Sequence, residues 1–251
     1  MSKHVILAGN WKMNLLKKPA QELIRSFQVP TNAAKTTEVW IAPPFSTLAT
    51  ALEETSTSAI KVGAQNCYSE SHGAFTGEVS GEMLFDMGCY FTLIGHSERR
   101  SLFHEATEQS AERAVAALEA GLRVIFCVGE TLEEREKGTT LEVVCDQLKP
   151  LLEKMDARAR ERLLVAYEPV WAIGTGKVAS LEQIQETHAA IKQWLYKEHE
   201  WKDISILYGG SVKPENFEGI VALEAVDGAL VGGASLKSES FLSLLEIAES
   251  V

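Results

Sequence analysis

One carboxylate, Glu168, stands between the apolar run LLVAY and the segment PVWAIGTGKVAS. Apolar neighbours raise a carboxyl pKa toward that of a useful general base, so this acid reads as a proton shuttle. A structural ion-pair partner ahead of proline is the alternative. His96, in LIGHSERR, follows one strand-like run and opens a helical one. A helix N-terminus disfavours imidazolium and leaves a neutral ring able to hydrogen-bond a carbonyl. A structural histidine fits the same stretch. Asn10 and Lys12, in GNWKMN, follow the first strand-like run. There the lysine offers an isolated cation to an anionic substrate, or is a plain surface lysine. The last two runs end in YGGSV and VGGAS. Glycine pairs let backbone N–H groups approach an anion, and a following helix start adds its dipole, although Gly-Gly also simply turns corners. Together these residue types describe proton transfer beside a carbonyl in a phosphorylated substrate.

Such residues must be carried to one place. Short apolar, β-rich runs recur: VILAG at 5, VWIAP at 39, IKVGA at 60, FTLIG at 91, RVIFCVG at 123, LLVAYE at 163, SILYG at 205 and GALVG at 228. Most are continuous and not alternating, as strands of a parallel sheet covered on both faces require. Amphipathic helical segments lie between them. EQSAERAVAALEAG, from 108, places Ala111, Val115 and Leu118 on one face; SLEQIQETHAAIKQWLYKEH opens on a Ser180 N-cap; SLKSESFLSLLEIAES, from 235, closes the chain. The fold class expected is α/β: a (β/α)8 barrel of eight parallel strands with outer helices, one domain over residues 1–251. Periodicity does not prove closure, and an open doubly wound sheet stays an alternative. In a barrel the site forms at the C-terminal ends of the strands, where all the residues above fall. The long connection at residues 65–80 suggests a function of its own.

Composition narrows the partners. The 251-residue chain is 45% hydrophobic and carries a formal net charge of -11 with no basic run, which argues against nucleic acid and anionic lipid. Cys67, Cys89, Cys127 and Cys145 form no CxxC pair and no metal spacing with histidine, so they read as buried free thiols. There is no signal-peptide pattern and no long apolar span, hence no membrane anchoring and a cytoplasmic location are expected.

With these residues in view, the chain resembles the triosephosphate isomerase family. GNWKMN, IGHSERR, AYEPVWAIGTGK and YGGSV are similar to its signature segments, supported by GAQNC, GAFTGE, CVGETLEERE and LVGGASL, in order along the chain. Val178 departs from the threonine common there. The resemblance implies a TIM barrel that interconverts dihydroxyacetone phosphate and D-glyceraldehyde 3-phosphate through an enediolate, with no metal and no organic cofactor. Carried over residue by residue, Glu168 is the base, His96 binds the carbonyl oxygens, and Lys12 with Asn10 stabilises the developing charge. Backbone N–H groups of Gly174, Ser211, Gly232 and Gly233 hold the phosphate. Glu98 and Arg99 lie behind the site, with Glu98 orienting Lys12, and Ser97 is the partner of Glu168 in the open state. Pro169, Val170 and Trp171 form the first hinge of a closing loop, Glu130 is the polar partner of Trp171, and Tyr208 with Ser211 latches the closed loop. Thr76, on the long third loop, would reach the Lys12 of a second subunit, making a homodimer. Two other readings remain: a phosphate-binding barrel acting on larger sugars, and a non-enzymatic scaffold.

Overall fold

The computed structural model describes residues 3–27, 36–173 and 177–251. Eight parallel strands form a closed barrel in chain order: β1 Val5–Asn10, β2 Thr37–Ala42, β3 Lys61–Ala64, β4 Phe91–Ile94, β5 Arg123–Val128, β6 Leu163–Tyr167, β7 Ile206–Tyr208 and β8 Gly228–Val231. All eight fall on the apolar runs. Closure is made by β1 against β8, with Ile6 opposite Gly228 and Gly9 opposite Val231, which removes the open-sheet alternative.

The runs are continuous because both strand faces are buried. Ile6, Ala8, Trp40, Phe91, Leu93, Ile125, Cys127, Leu164, Ala166, Leu207 and Leu230 fill the barrel interior. Val5, Leu7, Val39, Ile41, Val124, Phe126, Val165 and Tyr167 face the helices instead. Each fully buried Leu, Ile or Phe in these shells contributes roughly 1.5–3 kcal/mol. Strand parity now places the site. Counting inward positions by twos past Ala8, Ala166, Leu207 and Leu230 gives Asn10, Glu168, Gly209 and Gly232, all at the C-terminal mouth.

Among the described residues the outer layer comprises α1 Lys17–Ser26, α2 Phe45–Glu54, α3 Gly81–Asp86, α4 Ser97–Leu102, α5 Thr107–Glu119, α6 Leu132–Glu136, α7 Thr140–Lys154, α8 Leu181–His199, α9 Pro214–Val221 and α10 Ser238–Glu249. Helix α8 begins in a capping box of Ser180 and Gln183, two otherwise orphaned N–H groups being satisfied reciprocally. The buried face of α5 is mostly small, Ser110, Ala111, Ala114, Ala117 and Leu118, which lets the helix approach the barrel closely. Val115, expected on the same face, is half-buried and packs against the core beside them. Helix α10 also starts later than its pattern, at Ser238. A 3₁₀ turn over Gly233–Leu236 precedes it, because the Ser235 hydroxyl donates to the Gly232 carbonyl at 2.7 Å and holds a tighter turn.

Residues 65–80 form an arm pinched at its base, where the Tyr68 N–H donates to the Val79 carbonyl at 2.8 Å. The Phe75 ring packs on Tyr68 with centroids 4.6 Å apart, and Thr76 is exposed at the tip. All four cysteines are buried free thiols. Burial pushes Cys67 up to about 12 and Cys89 and Cys145 up to about 11, and it raises Cys127 well above its ordinary value, so the reactive thiolate is suppressed.

Candidate active site

Glu168 follows β6 and is only 1% exposed. Its N–H continues the ladder to the Val128 carbonyl at 2.7 Å, so strand β5 holds the backbone that carries the acid. The carboxylate has two anchors: Oε2 accepts the Ser97 N–H at 2.9 Å, and Oε1 lies 2.9 Å from His96 Nε2. Room for the side chain comes from Gly209, where a Cβ would stand 2.7 Å from Glu168 Cγ. Burial pushes the Glu168 pKa up, but His96, the Ser97 N–H and Lys12 together outweigh it, and the net direction is downward. This corrects the expectation from the apolar neighbours in sequence, because the residues that stabilise the anion come from other strands.

His96 is the N-cap of α4, and its Nδ1 accepts the Glu98 N–H at 3.2 Å. A ring nitrogen that accepts carries no proton, so the neutral tautomer bears its hydrogen on Nε2, aimed at Glu168. Burial opposes a charged ring, the Glu168 carboxylate favours one, and the carboxylate prevails, leaving the His96 pKa raised. The electrostatic balance thus runs opposite to the one the helix terminus alone implies, while the tautomer is the one that can donate.

Asn10 and Lys12 reach the same mouth from β1. Lys12 adopts φ 51°, a left-handed conformation that costs a non-glycine residue of order 1–3 kcal/mol. Its peptide groups are held from both sides, the N–H by Asn10 Oδ1 at 3.0 Å and the carbonyl by Gln65 Nε2 at 2.8 Å. The ammonium pairs with Glu98 Oε1. The strained backbone therefore aims the cation across the barrel toward α4 and the Glu168–His96 pair.

These groups line one cavity of about 650 Å³, together with Val170, Ile173, Gly209, Ser211, Gly232 and Gly233. The two glycine pairs differ. A Cβ at Gly233 would meet nothing within 4 Å and one at Gly232 only Lys12 Cε, so these two border open space where an anion fits. Gly209 makes room for Glu168 and Gly210 lies against the Tyr208 hydroxyl, so that pair serves packing first. Among the described residues no three His, Cys, Asp or Glu side chains gather as a metal site.

The family model of triosephosphate isomerase matches residues 5–248. The chain is 45% identical over 251 residues to triosephosphate isomerase of Alcanivorax borkumensis, covering 99% of this chain and 100% of that one. The chain belongs to the triosephosphate isomerase family. It is also similar to that enzyme of Fusobacterium nucleatum subsp. nucleatum, 44% identical over 97% of this chain and 98% of the other, and of Rhodopirellula baltica, 42% identical over the full length of both.

The other positions expected from the triosephosphate isomerase resemblance are distributed as follows. Trp171, in the 3₁₀ turn Val170–Ala172, donates from Nε1 to Glu130 Oε1 at 2.9 Å, and the Tyr167 hydroxyl donates to the same oxygen at 3.0 Å. Burial raises the Glu130 pKa, with these donors offsetting part of the effect. The Tyr208 hydroxyl is buried with no hydrogen-bond partner among the described residues, and the loop tip it would latch, residues 174–176, lies outside them. Gly174 lies outside the described residues. Arg99 turns away from the cavity and pairs with Glu105 at 2.6 Å. Its neighbour Arg100 holds the site's rear wall, donating to the Gly95 carbonyl at 2.8 Å and Thr107 Oγ1 at 3.1 Å. Arg100, Gln65 and the packing role of Gly209 went unseen in the sequence. Strand parity could have found Gly209, as the inward residue after Leu207; nothing local marks the other two.

Proposed function

We infer that this chain interconverts dihydroxyacetone phosphate and D-glyceraldehyde 3-phosphate, a step of glycolysis and gluconeogenesis, with Glu168, His96 and Lys12 as its catalytic residues. The observation that carries the reading is the buried Glu168 carboxylate 2.9 Å from His96 Nε2, both opening on the cavity that Lys12 borders. Glu168 removes a proton from C1 of the ketose and returns it to C2 of the enediolate. His96, donating from Nε2, bonds the carbonyl oxygens, and Lys12 with Asn10 stabilises the negative charge that develops there.

The resting contacts explain how the base gains strength when used. Ser97 N–H and His96 lower the Glu168 pKa only while the side chain rests on them. Reaching the substrate carbon breaks the Ser97 contact, burial then dominates, and the carboxylate becomes the stronger base. Backbone N–H groups of Gly174, Ser211, Gly232 and Gly233 bind the phosphate. The segment after Pro169 closes over it and excludes water, so the enediolate is protonated before it expels phosphate.

The whole chain acts as one domain in the cytoplasm, and it pairs as a homodimer in which the arm inserts Thr76 near the partner's Lys12. In support, the closed ring uses strands from Val5 to Val231, and no described helix is long and apolar enough to cross a membrane. Met13, Leu16, Phe75, Met83, Phe85 and Phe103 are exposed on the loops and helices of the first four units, the same part of the chain that carries the arm. A coupled assay of glyceraldehyde 3-phosphate turnover tests the reading; wild-type protein without that activity refutes it.

A further inference from the structure

We propose that Gln147, on α7, is a positioning residue for Glu168 and for the first hinge of the closing segment, an inference that rests on the isomerase reading above. Its side-chain amide makes two hydrogen bonds to a single residue just past β5. The Gly129 N–H donates to Gln147 Oε1 at 2.8 Å, and Gln147 Nε2 donates to the Gly129 carbonyl at 3.0 Å.

Strand geometry explains the need. Around the end of β5, its last residue Val128 and the following Glu130 direct their carbonyls toward β6, where they accept the Glu168 N–H at 2.7 Å and the Val170 N–H at 3.1 Å. Gly129, between them, directs its peptide groups to the opposite side, toward β4. Strand β4 has already ended at Ile94, whose partner is Phe126, and the chain has turned away at Gly95 with φ 72°. No strand remains to pair with Gly129, and the Gln147 amide takes the place of the missing peptide.

What Gly129 touches makes this site matter. A Cβ there would lie 1.7 Å from the Glu168 carbonyl oxygen, so this backbone is packed directly on the peptide of the acid. The next residue, Glu130, holds Trp171 and Tyr167. Segment 128–130 thus supports both the base and the hinge, and Gln147 fixes its middle residue. A cavity of about 250 Å³, lined by Gln147, Gly129, Val170 and Glu168, leaves the segment space to move if that amide is lost.

The test is Gln147→Met, which keeps the chain length and removes both hydrogen bonds. Melting temperature, kcat, KM and the share of substrate lost as methylglyoxal and free phosphate are measured at a temperature where the variant is fully folded. The expected result is a kcat lower by about tenfold with KM within about twofold, and an elimination share raised several-fold, because misplacement and not binding is affected. A lowered melting temperature with kcat and elimination share at wild-type levels means a structural role alone and overturns the proposal. Should Gln147→Met not fold, Gln147→Glu, which retains the acceptor for the Gly129 N–H and loses the donor, is judged by the same readouts. An inactive wild type refutes the isomerase reading; an active wild type with an unaffected variant refutes only this inference.

Discussion

Ser97 and Glu168, 71 positions apart, are joined by one hydrogen bond in which the Ser97 N–H donates to Glu168 Oε2 at 2.9 Å. The first turn of α4 thereby holds the Glu168 carboxylate beside the cavity, without a side chain of its own in the bond. An N–H at a helix start has no partner within its helix, so it is free to bind a carboxylate, one that the proposed proton transfer would require to leave.

Glu168→Gln keeps the shape and can still accept the Ser97 N–H, but it removes the base. Its kcat is expected to fall by roughly 10²- to 10⁴-fold or more with the fold retained. Circular dichroism and the coupled assay check this, and a variant retaining most of its kcat removes Glu168 from the catalytic role.

Gly209→Ala places a methyl group 2.7 Å from Glu168 Cγ and 3.3 Å from the Tyr167 carbonyl oxygen. The glutamate is the softer neighbour and must shift. A displaced base costs turnover more than binding, so kcat is expected to drop by about tenfold or more with KM little changed. Steady-state kinetics showing both constants unaltered would mean that the base has slack in its seat.

His188 is fully buried on α8, and burial, reinforced by Lys192, lowers its pKa from 6.5 to about 3. The unfolded chain binds that proton near 6.5 and the native chain only near 3, so the unfolded state carries more protons in between. Stability therefore falls with acidification through that window, by about 1.4 kcal/mol per pH unit from this group alone. Urea unfolding of wild type and His188→Gln at pH 7 and pH 5 reads the difference. Equal pH dependence in the two proteins contradicts the assignment.

Removing residues 73–77 shortens the arm that ends at exposed Thr76. Sedimentation velocity is expected to show a monomer, and the assay to show low activity, since the arm is proposed to steady the partner's Lys12. An active dimer of unaltered size returns the arm to a surface ornament.

How much of this was legible beforehand depends on the range of the interaction. The eight strands, the Ser180 cap and the strand-end positions of Asn10, His96 and Glu168 arise from residues a few places apart, so pattern and spacing carried them. Parity along β6 even places Glu168 inward. What local pattern could not supply is who meets whom across the closed ring. The lowered Glu168 pKa comes from residues 96, 97 and 12, reversing the direction its sequence neighbours imply. Arg99 and Arg100 are adjacent, yet one pairs with Glu105 outside the cavity and the other holds Gly95 and Thr107 behind it. The left-handed Lys12 depends on Gln65, 53 positions away, and the peptide of Gly129 on Gln147. Each is a hydrogen-bonding group that burial forces to find a partner, and only closure of the barrel decides which partner is within reach.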